Sequence, residues 1–202
     1  CQNVKSRETR AAAVKPTVLV APSWGPNSLF AKCGVEFLAT LADSYDVIVR
    51  PHPQTKKSQP ELYQEIVDSC EANAINLDEA PSGVASMNAC DMMVSDFSGI
   101  VYDYAFLYEK PLVVFDMAID YRGFEGHYLP KPLWRMQVLP ELAIVKHTDE
   151  IDQLSDAIQA ALLRSGEEIA AIRDRYIPNF GQAAPVAVGQ LLDLLAEGET
   201  EG

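Results

Sequence analysis

Residues 95–116 read SDFSGIVYDYAFLYEKPLVVFD, from Ser95 to Asp116. A crowded polar turn (Ser95, Asp96, Ser98, Gly99) follows the apolar run MMVS, which reads as a buried strand. Gly99 to Tyr108 then reads as a helix, and PLVVFD as the next strand. Two short apolar strands joined through a helix predict a parallel crossover, since parallel strands need a long connection.

The same alternation extends both ways. TVLVA (Thr17–Ala21), DVIVR (Asp46–Arg50) and AINLD (Ala74–Asp78) precede it as strands, and LAIVK (Leu142–Lys146) follows as a sixth. Apolar residues at helical spacing from Leu29 to Leu41 predict one helix between the first two strands. After the second strand, PHPQTKKSQ reads as a loop leading into a helix that opens with Pro60, where a missing N–H costs little. GVASMNAC reads as a short helix, 117–140 as a long irregular stretch, and 150–163, 166–176 and 184–195 as helices. Residues 1–16 read as a linker or frayed end, and 17–202 as a single domain. This is the pattern of an α/β, Rossmann-like doubly wound parallel sheet, in which ligands bind beyond the carboxyl ends of the strands.

Composition narrows the function. The 202 residues are 48% apolar and 22% charged, an ordinary globular balance. Sixteen Lys and Arg against 29 Asp and Glu leave a net charge of −13, which argues against general nucleic-acid binding. No apolar run approaches the roughly 20 residues that cross a bilayer. Cys1, Cys33, Cys70 and Cys90 are scattered, with no CxxC pair, which disfavours a disulfide framework or a zinc site and favours a reducing, cytosolic setting. The chain starts at Cys1 rather than Met, as a piece of a longer protein would.

Three loops at the predicted carboxyl edge carry candidate chemistry. After the second strand, Arg50, Pro51, His52 and Pro53 set a stiffened imidazole beside a guanidinium, a pairing suited to an anionic ligand; its plainer alternative is a rigid surface turn. After the fourth strand, a helix start offers unsatisfied N–H groups and a partial positive charge. There Ser98 can cap the helix or donate to a phosphate, Gly99 permits close approach, and Asp103 lies one turn further on, where it can accept from ligand hydroxyls. After the first strand, Ser23 and Trp24 stand at a loop tip, with Trp24 covering the sheet edge or packing on a ligand. Arg122, in the irregular stretch, is a further phosphate candidate. With these loops on one edge, the turn at Ser98 reads as a phosphate seat rather than a cap alone. No motif calls for a metal or a cofactor.

In order along Val18–Gly123, the segments APSW, RPHP, SDFSGIVYDYA and KPLVVFD resemble the donor-binding half of the CDP-glycerol glycerophosphotransferases of the teichoic-acid polymerase type. Gly99 stands where that family has a second Ser, and Phe97 where it has a Tyr. The resemblance implies the C-terminal half of a GT-B-type fold, with Ser23, Trp24, Arg50, Pro51, His52, Ser98, Gly99 and Asp103 facing CDP-glycerol. It implies transfer of glycerol phosphate to a hydroxyl of a growing envelope polymer with release of CMP, His52 donating to the phosphate or leaving group. It also implies a preceding domain that brings a second histidine and the acceptor site, so the 202 residues alone make an incomplete enzyme. The full-length protein would then be cytoplasmic, with peripheral association at the inner face of the membrane. Two other readings stay open: another GT-B enzyme using a UDP-sugar, as a transferase or 2-epimerase-like protein, and a non-catalytic nucleotide-binding module.

Overall fold

The computed structural model describes residues 15–117, 128 and 133–200, with side chains described through 195. Six parallel strands form one sheet: β1 (Thr17–Val20), β2 (Asp46–Val49), β3 (Asn76–Leu77), β4 (Met92–Ser95), β5 (Leu112–Asp116) and β6 (Ala143–His147). Their spatial order is β3-β2-β1-β4-β5-β6, so the chain reverses its direction of travel between β1 and β4. That reversal point is where an open α/β sheet leaves a crevice for a ligand.

Alternation along the strands divides the core into two layers. Val18 and Val20 of β1, Val47 and Val49 of β2, Met92 and Val94 of β4, and Val113 and Phe115 of β5 face one side. Leu19, Ile48, Met93, Leu112 and Val114 face the other. Both faces are apolar because helices cover both, as the near-continuous apolar strands require. Burying each such side chain contributes about 1.5–3 kcal/mol.

The helices depart from the sequence expectation at three places. The run Leu29–Leu41 is broken into α1 (Leu29–Cys33) and α2 (Phe37–Ser44). Gly34 sits between them at φ 69°, ψ −160°, and its N–H donates to Phe30 O at 3.0 Å, so the first helix is closed by a conformation that favours glycine. The expected loop after β2 contains a short helix, α3 (Pro53–Ser58), before α4 (Pro60–Ala72); Pro60 begins a new helix because Gln59, at φ −138° and ψ 61°, interrupts the first. Beyond α5 (Val84–Ala89) and α6 (Ile100–Tyr108), the stretch expected to be irregular ends in a helix, α7 (Trp134–Leu142), which carries Pro140 within it. A 3-10 helix at Thr148–Gln153 leads into α8 (Leu154–Leu162), followed by α9 (Gly166–Tyr176) and α10 (Ala183–Thr200). Among the described residues, no helix is long and apolar enough to cross a membrane.

Candidate functional site

The crevice between β1 and β4 is built around one carboxylate. Asp96 follows β4, is fully buried, and accepts three backbone hydrogen bonds from two different segments. Its Oδ1 accepts from Ser23 N at 2.8 Å and Ser98 N at 3.2 Å, and its Oδ2 accepts from Leu29 N at 2.9 Å. Both oxygens act as acceptors, the pattern of the ionised form. Burial nevertheless pushes the Asp96 carboxyl above its ordinary range, against the pull of these N–H groups. Beneath it, Ser95 Oγ donates to Ala21 O at 2.7 Å, tying the ends of the same two strands together.

Of the two roles open to Ser98, capping the helix or donating to a phosphate, the structure does not show the cap. Helix α6 begins at Ile100 with Gly99 in the N-cap position, and no side chain caps it. The turn is instead closed by Asp96 bonding the N–H two residues on, the local bond a short carboxylate side chain makes at a strand end. Asp96 also supplies the partner for the first N–H of α1, where Ser28 makes no side-chain cap bond. The sequence signal was the Asp within the polar turn. What it lacked was any sign that its partners lay after β1.

Two hydroxyls here have no hydrogen-bond partner among the described residues. Ser23 Oγ is buried and without such a partner, though it lies near enough to Asp96 to add to the pull on that carboxyl. Ser98 is half-buried, and among the described residues neither its hydroxyl nor the N–H of Gly99 or Ile100 has a partner. A Cβ built on Gly99 meets nothing within 4 Å, so the space over the α6 N-terminus is open. Gly99 has φ −62°, a backbone any residue adopts. Its value at this place is therefore the room it leaves, not its flexibility.

His52 caps α3. Its Nδ1 accepts from Gln54 N at 3.1 Å, which puts the proton of the neutral ring on Nε2 and leaves that N–H as a donor without a partner among the described residues. Partial burial lowers its pKa below the ordinary histidine value, with the Asp96 charge acting the other way. The Trp24 ring, 45% exposed, lies 6.2 Å from the His52 ring at a tilt of 33°. The loop bearing Trp24 is tied to the α3–α4 junction by Gly25 N donating to Gln59 Oε1 at 2.8 Å. So Ser23, Trp24, His52 and Ser98, from three loops, are linked through Asp96, Gln59 and a ring contact.

Arg50 is placed differently from the expectation of an open phosphate contact. Its Nη1 pairs with Asp78 at 2.7 Å and its Nη2 donates to Ala80 O at 2.8 Å, with both side chains largely buried. A Cβ on Gly83 would lie 2.9 Å from Arg50 Nε, so that glycine makes room for the guanidinium. Arg50 thereby ties β2 to the loop after β3, because a buried carboxylate outcompetes water for it. Buried Pro51 joins it to His52. These three residues, with Lys56, Tyr63 and Glu79, line a cavity of about 260 Å³ beside the His52 ring. Asp103 is exposed on α6, with no partner among the described residues. Arg122 lies outside the described residues.

A doubly wound sheet with hydroxyls and helix N–H groups at its reversal point that have no partner among the described residues defines a domain of the α/β class that takes ligands beyond the carboxyl ends of its strands. The family model for CDP-glycerol:poly(glycerophosphate) glycerophosphotransferase matches residues 6–181, and the chain belongs to that family. Among solved structures, it is similar to the wall teichoic acid polymerase TagF soaked with CDPG, at 18% identity and a TM-score of 0.53, covering 94% of this chain and 44% of that one. It is also similar to an α,α-trehalose-phosphate synthase (UDP-forming) from Burkholderia vietnamiensis (11% identity, TM-score 0.52, 92% and 45% covered). A third is the glycotransferase of kitacinnamycin (15%, 0.53, 94% and 47%). No curated protein sequence gave a significant match. These neighbours are GT-B transferases, and the expected fold class stands. The chain spans less than half the length of each of them.

Proposed function

We propose that this chain is the donor-binding half of a glycerophosphotransferase that moves glycerol phosphate from CDP-glycerol to a hydroxyl on a growing envelope polymer. Membership of the family supports this. The observation that carries it to particular residues is the buried, unpartnered Ser23 Oγ, joined through Asp96 to the open turn at Ser98 and Gly99. A buried hydroxyl without a partner is destabilising by about 1–3 kcal/mol, and a phosphate oxygen at this crevice supplies the missing partner.

In the reaction, the acceptor oxygen forms a bond to the β-phosphorus while the bond to the CMP oxygen breaks. The acceptor proton passes to a base, which the family resemblance assigns to a preceding domain. Such a transfer depends on positioning and charge stabilisation more than on covalent help. Ser23 and Ser98 donate hydroxyls to the phosphates, and the N–H groups of Gly99 and Ile100 add the positive end of α6. His52, neutral with its proton on Nε2, donates to the phosphate or the departing CMP. Trp24 packs on the ligand, Pro51 holds His52 in place, and Asp103 accepts from ligand hydroxyls. Arg50 acts from behind, by holding the loop after β3, and Arg122 is a further phosphate contact. The full-length protein works with its acceptor polymer at the inner face of the cell membrane.

Calorimetric titration with CDP-glycerol, CDP and UDP-N-acetylglucosamine, each with and without EDTA, tests the reading. Binding of CDP-glycerol and CDP that is insensitive to EDTA is the expected result. A preference for the UDP-sugar would assign the site to another class of transferase.

A further inference from the structure

We propose that Asp96 is a positioning residue of the donor site, holding the Ser23 loop, the start of α1 and the Ser98 turn in the arrangement that presents their open donors to a phosphate. This rests on the donor reading above. The three N–H groups that Asp96 accepts from are committed to it and so are not available to an anion at this crevice. With Ser23 N, Leu29 N and Ser98 N occupied, the ligand is left the Ser23 and Ser98 hydroxyls and the N–H groups of Gly99 and Ile100. The carboxylate therefore decides which donors the phosphate meets as well as where they stand.

A merely structural tie would not need a charge. Burying a carboxylate is costly, and apolar packing or neutral hydrogen bonds hold loops together at a lower desolvation cost. A carboxylate supplies two things that such ties do not. Its two oxygens serve three N–H groups from both sides of the β1–β4 crevice, so that the loops move together or not at all. It also sets a fixed negative charge near His52, whose other neighbours are the Trp24 ring and the charged or titratable Arg50, Lys56, Tyr63, Asp78 and Glu79 around the adjoining cavity.

Asp96→Asn tests this, since it keeps the shape but faces Leu29 N–H with an amide donor and removes the charge. Three readouts on the same protein are compared with wild type: thermal unfolding, calorimetric titration with CDP, and the NMR titration midpoint of His52. The expected variant stays folded, binds CDP about tenfold more weakly or worse, and titrates His52 at a lower pH because an anionic neighbour is gone. Unchanged CDP affinity overturns the proposal. So does weakened affinity with an unmoved His52 midpoint, which marks a packing defect. If Asp96→Asn does not fold, amide exchange in the wild-type chain decides. Ser23, Leu29 and Ser98 should exchange at a common slow rate, and unrelated rates overturn the proposal. If wild type fails to bind CDP, the donor reading falls, while the exchange pattern and the His52 shift still judge the role of Asp96.

Discussion

Ser23 and Ser98 donate their backbone N–H groups to the same oxygen, Asp96 Oδ1, at 2.8 and 3.2 Å. One residue follows β1 and the other follows β4, and the shared acceptor brings their side chains to one crevice. Among the described residues neither hydroxyl has a partner of its own. The site is thus held by backbone and left open at its side chains, which is the arrangement a polar ligand needs.

Ser98 should therefore matter for binding and not for folding. Ser98→Ala loses no cap bond, so its stability should stay within about 0.5 kcal/mol of wild type. Its CDP affinity should fall by about three- to tenfold, the worth of one hydrogen bond. Ser98→Asp adds a second carboxylate beside Asp96 and should lose both binding and melting temperature. Paired unfolding and calorimetry on the two variants checks both statements.

Gly99 gives the complementary case. Gly99→Ala places a methyl group in open space on an ordinary helical backbone. Stability should hold or rise by up to about 1 kcal/mol, through the reduced entropy of the unfolded chain. Weaker CDP binding in a protein at least as stable as wild type would place the phosphate over that methyl. Unchanged binding would remove Gly99 from the site.

His52 should titrate below 6.5, its ordinary value, because burial disfavours the charged ring. In the window between the folded value and 6.5 the unfolded chain binds more protons than the folded one. Stability from this group is thus complete above 6.5 and is lost as pH falls through that window. Nitrogen-detected NMR at neutral pH should find the proton on Nε2, since Nδ1 accepts from Gln54 N. A ring protonated at Nδ1 would contradict the assigned donor role.

Arg50→Ala should destabilise the ligand-free protein by about 1–3 kcal/mol, as it takes the charged partner from a largely buried Asp78 that keeps only its Ser86 and Ala80 N–H bonds. Burial pushes the Asp78 carboxyl up, but hydrogen bonds from Ser86, Ala80 N–H and Arg50 together draw it below its usual 3.8. The stability it contributes is present above that value and is lost as pH falls through the folded pKa. Urea unfolding of wild type and Arg50→Ala between pH 7 and 3 measures the effect. A variant as stable as wild type that loses only CDP affinity would return Arg50 to the role of a direct phosphate contact.

The strands, their parallel class and the loops that matter were legible from sequence, because each depends on local pattern. MMVS and the apolar core of PLVVFD alternate into two layers whatever lies beside them, and a polar turn before a helix marks a ligand edge by itself. The break at Gly34 was less visible, since the apolar spacing of Leu29–Leu41 continues through it and only a backbone at φ 69° stops the helix. What tertiary structure alone decided is the pairing of distant groups. Arg50 was read as free for phosphate, yet strand order places Asp78 within 2.7 Å and satisfies it there. Ser98 was read as able to cap the helix as well as to seat a phosphate, yet Asp96 closes the turn while also reaching Ser23 and Leu29 in the loop after β1. Local sequence dictates which residues can bond, but a buried carboxylate bonds to whatever donors the fold brings within hydrogen-bond reach, and that choice is made only when the sheet has assembled.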